Sequence, residues 1–142
     1  MELIKKRVAI EIRTVIADQD DKELTISKQN GSYMKKGQKE VISFKEKTKD
    51  FGEVKSLITI QPDKVNLKRS GNITMNQQFV EGQISESLYR HPYGAFRMEI
   101  ETQSITRQQK GQEKKVIIIY DLKMDGAQTR HHHLTLTYTE EK

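Results

Sequence analysis

The pattern that decides the fold is clearest in one stretch of sequence, Phe96-Arg97-Met98-Glu99-Ile100-Glu101-Thr102-Gln103. Apolar and charged side chains alternate there with a period of two. Near the N-terminus, Val8, Ile10 and Ile12 alternate with small or charged neighbours in the same way. Successive side chains of a β-strand point to opposite faces, so this pattern predicts strands with one buried and one solvent-exposed face.

The same alternation, interrupted by short turn sequences, runs along the whole chain. Turn-forming residues recur at short intervals, for example in Asn30-Gly31, Pro62-Asp63 and Asp125-Gly126. No segment of helical length has apolar residues at a spacing of three and four. We therefore predict ten strands and no helix. The predicted strands are residues 6–16, 23–34, 39–48, 53–61, 64–70, 72–81, 83–91, 95–107, 114–124 and 128–139.

Composition favours a closed barrel. Only 34% of the 142 residues are apolar, but the net charge is only +5, whereas chains that fail to fold usually combine low hydrophobicity with a large net charge. In a small barrel one residue in two faces inward, so an apolar fraction of about one third is sufficient. We expect one all-β domain over residues 1–142, an antiparallel meander of about eight to ten strands closed into a barrel.

Composition and motifs also exclude several classes of protein. The chain has no cysteine, so it holds no disulfide, thiol nucleophile or Cys-based zinc site. It has no glycine-rich phosphate loop, no GxSxG, no HExxH and no apolar run of membrane-spanning length. We expect no enzymatic activity, no cofactor and no membrane partner. Glu11 and Arg13 interrupt the apolar stretch that a secretory signal requires, so we expect a cytoplasmic location.

Two charged residues continue apolar inward faces. Arg69 follows Val65 and Leu67, and Glu46 follows Ile42 and Phe44, at a spacing of two. A charge buried alone is costly, and arginine is suited to holding an anion. These residues predict either a ligand pocket at the barrel mouth or a structural ion pair that fills the barrel end. The alternation places five further residues around them: Met75, Phe79, Tyr89, Thr102 and Tyr120.

The run His131-His132-His133 leads into an alternating strand. His131 and His133 share the outer face and would bind a metal only with a third ligand, so we expect exposed strand residues and no metal. His132 falls on the inner face.

The segment Val116-Ile117-Ile118-Ile119-Tyr120 is apolar on both faces. This pattern is typical of a strand covered on both sides. The cover on the outside is either an N-terminal or loop segment, such as Leu3-Ile4, or a second copy of the chain, so the protein is either a monomer or a homodimer.

Lysines are concentrated in residues 35–49, where six of them face only two glutamates. Such a surface could bind RNA or an acidic protein. Alternatively, the lysines keep an edge strand soluble.

Several residues taken in order resemble a known family. They are Lys68-Arg69-Ser70-Gly71, Phe79, Gly82, Tyr89, Pro92-Tyr93-Gly94, Thr102 and Ile118-Ile119-Tyr120. They resemble the YwiB-like family of uncharacterised bacterial proteins, a domain of unknown function, over essentially the whole chain. The resemblance implies a calycin-like β-barrel, lipocalin-like in architecture, and no activity. The chain has no tryptophan and so lacks the Gly-x-Trp signature of lipocalins.

We therefore expect non-catalytic binding of a small anionic or amphipathic molecule inside the barrel. Arg69 would anchor the anion, and Glu46 would be its partner or a hydrogen-bond acceptor. The first alternative is an interaction protein that binds RNA or an acidic protein through residues 35–49. The second is an enzyme that uses Glu46 or His132 as acid or base.

Overall fold

The computed structural model describes residues 3–141, which form ten antiparallel strands. They are β1 (Leu3–Ala17), β2 (Lys22–Lys36), β3 (Lys39–Thr48), β4 (Gly52–Ile60), β5 (Val65–Gly71), β6 (Met75–Phe79), β7 (Ile84–His91), β8 (Gly94–Lys110), β9 (Glu113–Met124) and β10 (Arg130–Glu140). The predicted fold class is confirmed, and all ten predicted strands are present with ends that differ by at most three residues from the predicted ones. Residues 3–141 contain no helix, and so none that is long and apolar enough to span a membrane.

The strands lie in one sheet that closes on itself. Their order is β6-β5-β4-β3-β2-β1-β10-β9-β8-β7, so every hairpin joins neighbouring strands and β1 pairs with β10. The two outermost strands meet through a single bridge between Thr74 and Arg90, with backbone hydrogen bonds of 2.9 and 2.8 Å. The sheet is therefore a nearly closed barrel.

The alternation in the sequence becomes the inner and outer faces of the barrel. Every second residue of β4 from Val54 to Ile60 is buried, and β9 buries Val116, Ile118 and Tyr120 in the same way. Ile58 and Ile60 of β4 and the three buried residues of β9 join inward side chains of the other strands in one core cluster. Since half of each strand faces outward, the low apolar content is compatible with a filled core.

The two ends of the barrel carry different loops. The β1–β2, β3–β4, β5–β6, β7–β8 and β9–β10 hairpins lie at one end, which we call the β7–β8 end. The β2–β3 hairpin and the other even-to-odd connections lie at the opposite end, which we call the β2–β3 end, because a meander alternates its turns.

β2 and β3 are paired over a short distance only. Their register runs from Ser32–Ser43 to Lys36–Lys39, after which β2 continues along β1 and β3 continues along β4. The two strands part at Gly31. A Cβ on this glycine would collide with the carbonyl oxygen of Ser43 and lie 2.8 Å from Cδ1 of Ile10. Glycine is therefore required at this position, because the backbone of β3 leaves no room for a side chain.

The outer face of β9 is not covered by the N-terminal segment. Ile4 is part of β1 and pairs with Lys35, whereas Ile117 shares an outward row with Arg13. Nine residues of strand, about 30 Å, separate that row from Ile4. The expectation that Leu3-Ile4 covers this face is wrong because these residues extend β1 instead.

Replacing Gly31 with alanine should lower the free energy of unfolding by about 1–3 kcal/mol, because the added methyl group overpacks the β2–β3 contact. Urea denaturation followed by circular dichroism measures the change. Ser32→Ala, at the neighbouring exposed position, is the control and should change the midpoint little. Equal midpoints for the two variants would contradict the close approach.

Candidate functional site: a basic cleft where β2 and β3 part

Three of the predicted site residues follow one another around the inner wall. Arg69 of β5 pairs with Met75 of β6. The bridge between β6 and β7 then places Met75 beside Tyr89. The sequence-predicted neighbourhood of Arg69 is thus present over three adjacent strands.

Three other predicted site residues pack in the core. Thr102 pairs with Tyr120, and the ring centroid of Phe79 lies 4.8 Å from that of Tyr120. Each of the three is at most 4% exposed. Burial raises the pKa of the Tyr120 hydroxyl, while the positive charge of Arg69 acts in the opposite direction. Arg69 is therefore near enough to act on the Tyr120 hydroxyl, and Phe79 packs against the Tyr120 ring.

The predicted partnership of Arg69 with Glu46 is not formed. The ion pairs found within residues 3–141 do not include Arg69, and its Nε is buried without a hydrogen-bond partner. In the register, Arg69 pairs with Ser56 of β4, whereas Glu46 pairs with Val54. Glu46 therefore lies on the next inward row, nearer the β7–β8 end.

The polar cluster that the sequence interpretation missed lies at the β2–β3 end. Oε1 of Glu40 accepts hydrogen bonds from Tyr33 Oη at 2.7 Å, Lys114 Nζ at 2.9 Å and Tyr138 Oη at 3.1 Å. Burial alone would raise the pKa of Glu40, but the hydrogen bonds from Lys114 and the two tyrosines bring it below its usual value. The signal was present, because Glu40 precedes Ile42 on the inner face at the same spacing that singled out Glu46.

The three histidines separate as the alternation predicts. His131 contacts the carboxylate of Asp121 and His133 is exposed. His132 is 8% exposed and stacks on Tyr120 at 4.8 Å, with both ring nitrogens lacking a hydrogen-bond partner. Burial, with a smaller contribution from Arg130, lowers the pKa of His132 to about 4. His132 is therefore neutral in the folded protein near pH 7.

A cleft of about 550 Å³ lies on the barrel wall where β2 and β3 part. Its lining comes from five consecutive strands, β1 to β5. Nine of the residues belong to the outer face, and three buried ones form its floor: Gly31, Phe44 and Ser56. The outer-face residues are Arg7, Asn30, Ser32, Ser43, Lys45, Lys55, Leu57, Lys68 and Ser70. The cleft exists because the outer face becomes concave where the two strands separate.

The charge of this cleft is entirely positive. Four lining residues are cationic, namely Arg7, Lys45, Lys55 and Lys68, and none is acidic. Within residues 3–141, no carboxylate forms an ion pair with any of the four. Lys45 and Lys55 are direct cross-strand partners, an arrangement of like charges that destabilises a sheet.

The sequence interpretation found only one of these cations. Lys45 belongs to the lysine-rich stretch at residues 35–49, while Arg7, Lys55 and Lys68 lie on three other strands. The register of five strands brings them together, and neither composition nor spacing along the chain reveals that register.

Comparisons with known proteins agree with the architecture. The family model described as "Domain of unknown function (DUF1934)" matches residues 10–136. The chain is 28% identical over 131 residues to the uncharacterised β-barrel protein YwiB of Bacillus subtilis (strain 168), covering 92% of each chain. The crystal structure of the ywiB protein from Bacillus subtilis matches with a TM-score of 0.87 at 27% identity, over 97% of this chain and 94% of that chain.

Glu40→Gln should lower the free energy of unfolding at pH 7 by about 1–2 kcal/mol, because Lys114 loses a charged acceptor inside the barrel end. Since the folded pKa of Glu40 is depressed, its contribution is present above the ordinary carboxyl pKa and is lost as the pH falls through the folded value. Denaturation at pH 7 and pH 3 measures both effects. The control is Glu140→Gln, which breaks an exposed pair with Lys6 and should cost little; equal losses would contradict the role of Glu40.

His132 should make stability fall in mild acid. Its folded pKa of about 4 lies below the usual 6.5, so the unfolded chain takes up a proton first and stability is lost as the pH falls from about 6.5 to 4. His132→Phe, which keeps the stacking on Tyr120, should remove about 2–3 kcal/mol of this loss. Denaturation at several pH values tests it, with His133→Phe as the exposed control. A His132→Phe variant with the wild-type pH dependence would contradict the assignment.

Proposed function

We propose that this chain, which belongs to the DUF1934 family of domains of unknown function, binds a small anionic or amphipathic molecule without transforming it. The proposed site is the basic cleft, and the proposed location is the cytoplasm. The observation that carries the proposal is the convergence of four cationic side chains from four strands on one concave surface without a lining carboxylate.

The electrostatics of the empty cleft favour an anion. Lys45 and Lys55 face each other across β3 and β4, and Lys68 follows on β5. Each charge raises the energy of its neighbours, because like charges directly opposite destabilise a sheet. A bound anion screens the repulsion between these lysines. Part of the binding free energy therefore comes from removing a repulsion that destabilises the free protein.

The shape and remaining lining favour a small molecule with an apolar part. A volume of about 550 Å³ lies within the range of roughly 300–1,000 Å³ that is typical of small-molecule sites. Leu57, 39% exposed, is the cross-strand neighbour of Lys68 and lies two residues along β4 from Lys55, and Phe44 contributes to the floor. An amphipathic anion would cover this leucine while its charged group contacts the lysines.

Of the residues proposed from the sequence, Arg69 lies nearest to the cleft. It pairs with Ser56, which lines the floor, so a further positive charge lies behind the wall. Met75, Phe79, Tyr89, Thr102 and Tyr120 lie on the inner side of β6 to β9, outside the five strands that form the cleft. On this proposal the ligand therefore binds on the wall and not among these interior residues.

Hexyl sulfate is a simple anionic amphiphile that tests the proposal. Its titration into ¹⁵N-labelled protein should shift the amide resonances of Ser32, Ser43, Leu57 and Ser70, whereas neutral hexanol should shift them little. Lys45→Glu should weaken hexyl sulfate binding about tenfold, because losing one close charge interaction costs about 1.4 kcal/mol and a repulsion is added.

Lys39→Glu is the matched control. It makes the same charge change in the same lysine-rich stretch, but outside the cleft, and should change the affinity less than twofold. An equal loss with Lys39→Glu would show that the whole stretch 35–49 acts as a diffuse basic surface, as a binder of RNA or an acidic protein would use it. Shifts absent from the cleft in the wild type would overturn the proposal.

A further inference from the structure

We infer that the ligand of the cleft is a phosphate monoester with an apolar body, whose phosphate lies between Lys45 and Lys55. The inference rests on the proposed function and names the ligand class for the same site.

The first argument is the charge of the lysine pair. Lys45 and Lys55 are opposite each other, so their Cβ atoms lie about 5 Å apart and both ammonium groups reach one point above the sheet. Register places the nearest carboxylate of β4, Glu53, opposite Lys47. A monoanion would neutralise one of the two lysines. A phosphate monoester carries a charge between about −1.5 and −2 near pH 7 and neutralises both.

The second argument is the supply of hydrogen-bond donors. Each lysine offers three, and Ser70, which pairs with Lys55, adds a hydroxyl group. The hydrogen-bonded ladder between β2 and β3 ends at Ser32–Ser43. Beyond this pair, the edge of β2 that faces β3 and the edge of β3 that faces β2 do not pair with each other. Sheet edges of this kind form concavities that bind anions. The three terminal oxygens of a phosphate can accept hydrogen bonds from more of these donors than the two oxygens of a carboxylate can.

The third argument is the layout of the rest of the cleft. One outward row crosses the sheet in the order Arg7, Ser32, Ser43, Leu57 and Lys68. It lies two residues, about 7 Å, along the strands from the row of Lys45 and Lys55. Ser32, Ser43 and Leu57 form the neutral middle of this row, with Arg7 and Lys68 at its two ends. The part of the ligand that extends from the phosphate across the middle of the row meets an apolar and hydroxyl surface. A ligand that is charged throughout would leave Leu57 without a partner.

Hexyl phosphate and hexyl sulfate are matched probes, since they share the tail and the tetrahedral head and differ in charge. Amide shifts in ¹⁵N-labelled protein give both dissociation constants. At pH 8 hexyl phosphate should bind at least tenfold more tightly than hexyl sulfate. At pH 5 the phosphate is largely a monoanion, because its second pKa is about 6, and the ratio should fall below threefold. Measuring hexyl sulfate at both pH values removes the effect of protein titration.

Variants and a second ligand test the location and the apolar body. Lys45→Gln and Lys55→Gln should each reduce the phosphate-to-sulfate ratio at pH 8 to below threefold, while Lys39→Gln should retain it; a dispersed amide spectrum verifies that each variant is folded. Inorganic phosphate should bind at least fivefold more weakly than hexyl phosphate.

Two results separate failure of the inference from failure of the proposed function. Equal affinities for hexyl phosphate and hexyl sulfate at pH 8, with shifts in the cleft, would overturn the phosphate assignment and leave anion binding in place. The absence of cleft shifts with both probes would overturn both. Equal affinities for hexyl phosphate and inorganic phosphate would overturn the inference that the ligand has an apolar part.

Discussion

The barrel depends on the pairing of β1 with two neighbours at once. β1 is hydrogen-bonded to β2 from Leu3–Lys36 to Ala17–Lys22 and to β10 from Val8–Glu140 to Ala17–His131. Because unpaired backbone groups are costly in a folded sheet, β1 fixes strands β2 to β6, on one side of it, relative to strands β7 to β10, on the other side. The two halves of the sheet curl toward each other until β6 and β7 meet at a single bridge.

Two neighbouring strand pairs of this sheet are joined over only part of the length that their strands offer. β6 and β7 meet at a single bridge, and β2 and β3 pair only from Ser32–Ser43 to Lys36–Lys39 although both strands continue beyond Ser32 and Ser43. At the second one the outer face becomes concave, since β2 follows β1 and β3 follows β4 in different directions. Gly31 lies at this point: its missing side chain leaves room for the carbonyl oxygen of Ser43, and the residue forms part of the cleft floor.

Glu40 and Lys114 at the barrel end form an ion pair, whereas the four cations of the cleft form none within the part of the chain that the structure describes. At the β2–β3 end, the carboxylate of Glu40 has three donors around it and is satisfied within the protein. Arg69, His132 and Thr102 keep buried polar atoms without a partner, and Phe79 packs against Tyr120. The cleft combines unpaired positive charge with open volume, and for this reason the proposed ligand site is the wall rather than the interior. The likeness to the ywiB protein of Bacillus subtilis extends over nearly the whole chain, so the comparison concerns the complete barrel.

The sequence by itself located the ten strands and indicated the inner and outer faces along their alternating stretches. Alternation is a local property, since a strand has a period of two wherever it lies, and this is why ten strands, the inward position of His132 and the inward Arg69 were all predictable. The same reasoning did not predict that Arg69 and Glu46 lie on different rows, because a row is defined by the register between strands. It also did not group Arg7, Lys45, Lys55 and Lys68, which are up to 61 positions apart in the chain. Only the tertiary structure decided that grouping, because it depends on the hydrogen-bond register of five strands and on where β2 leaves β3, and both are set by closure of the barrel rather than by any local stretch of sequence.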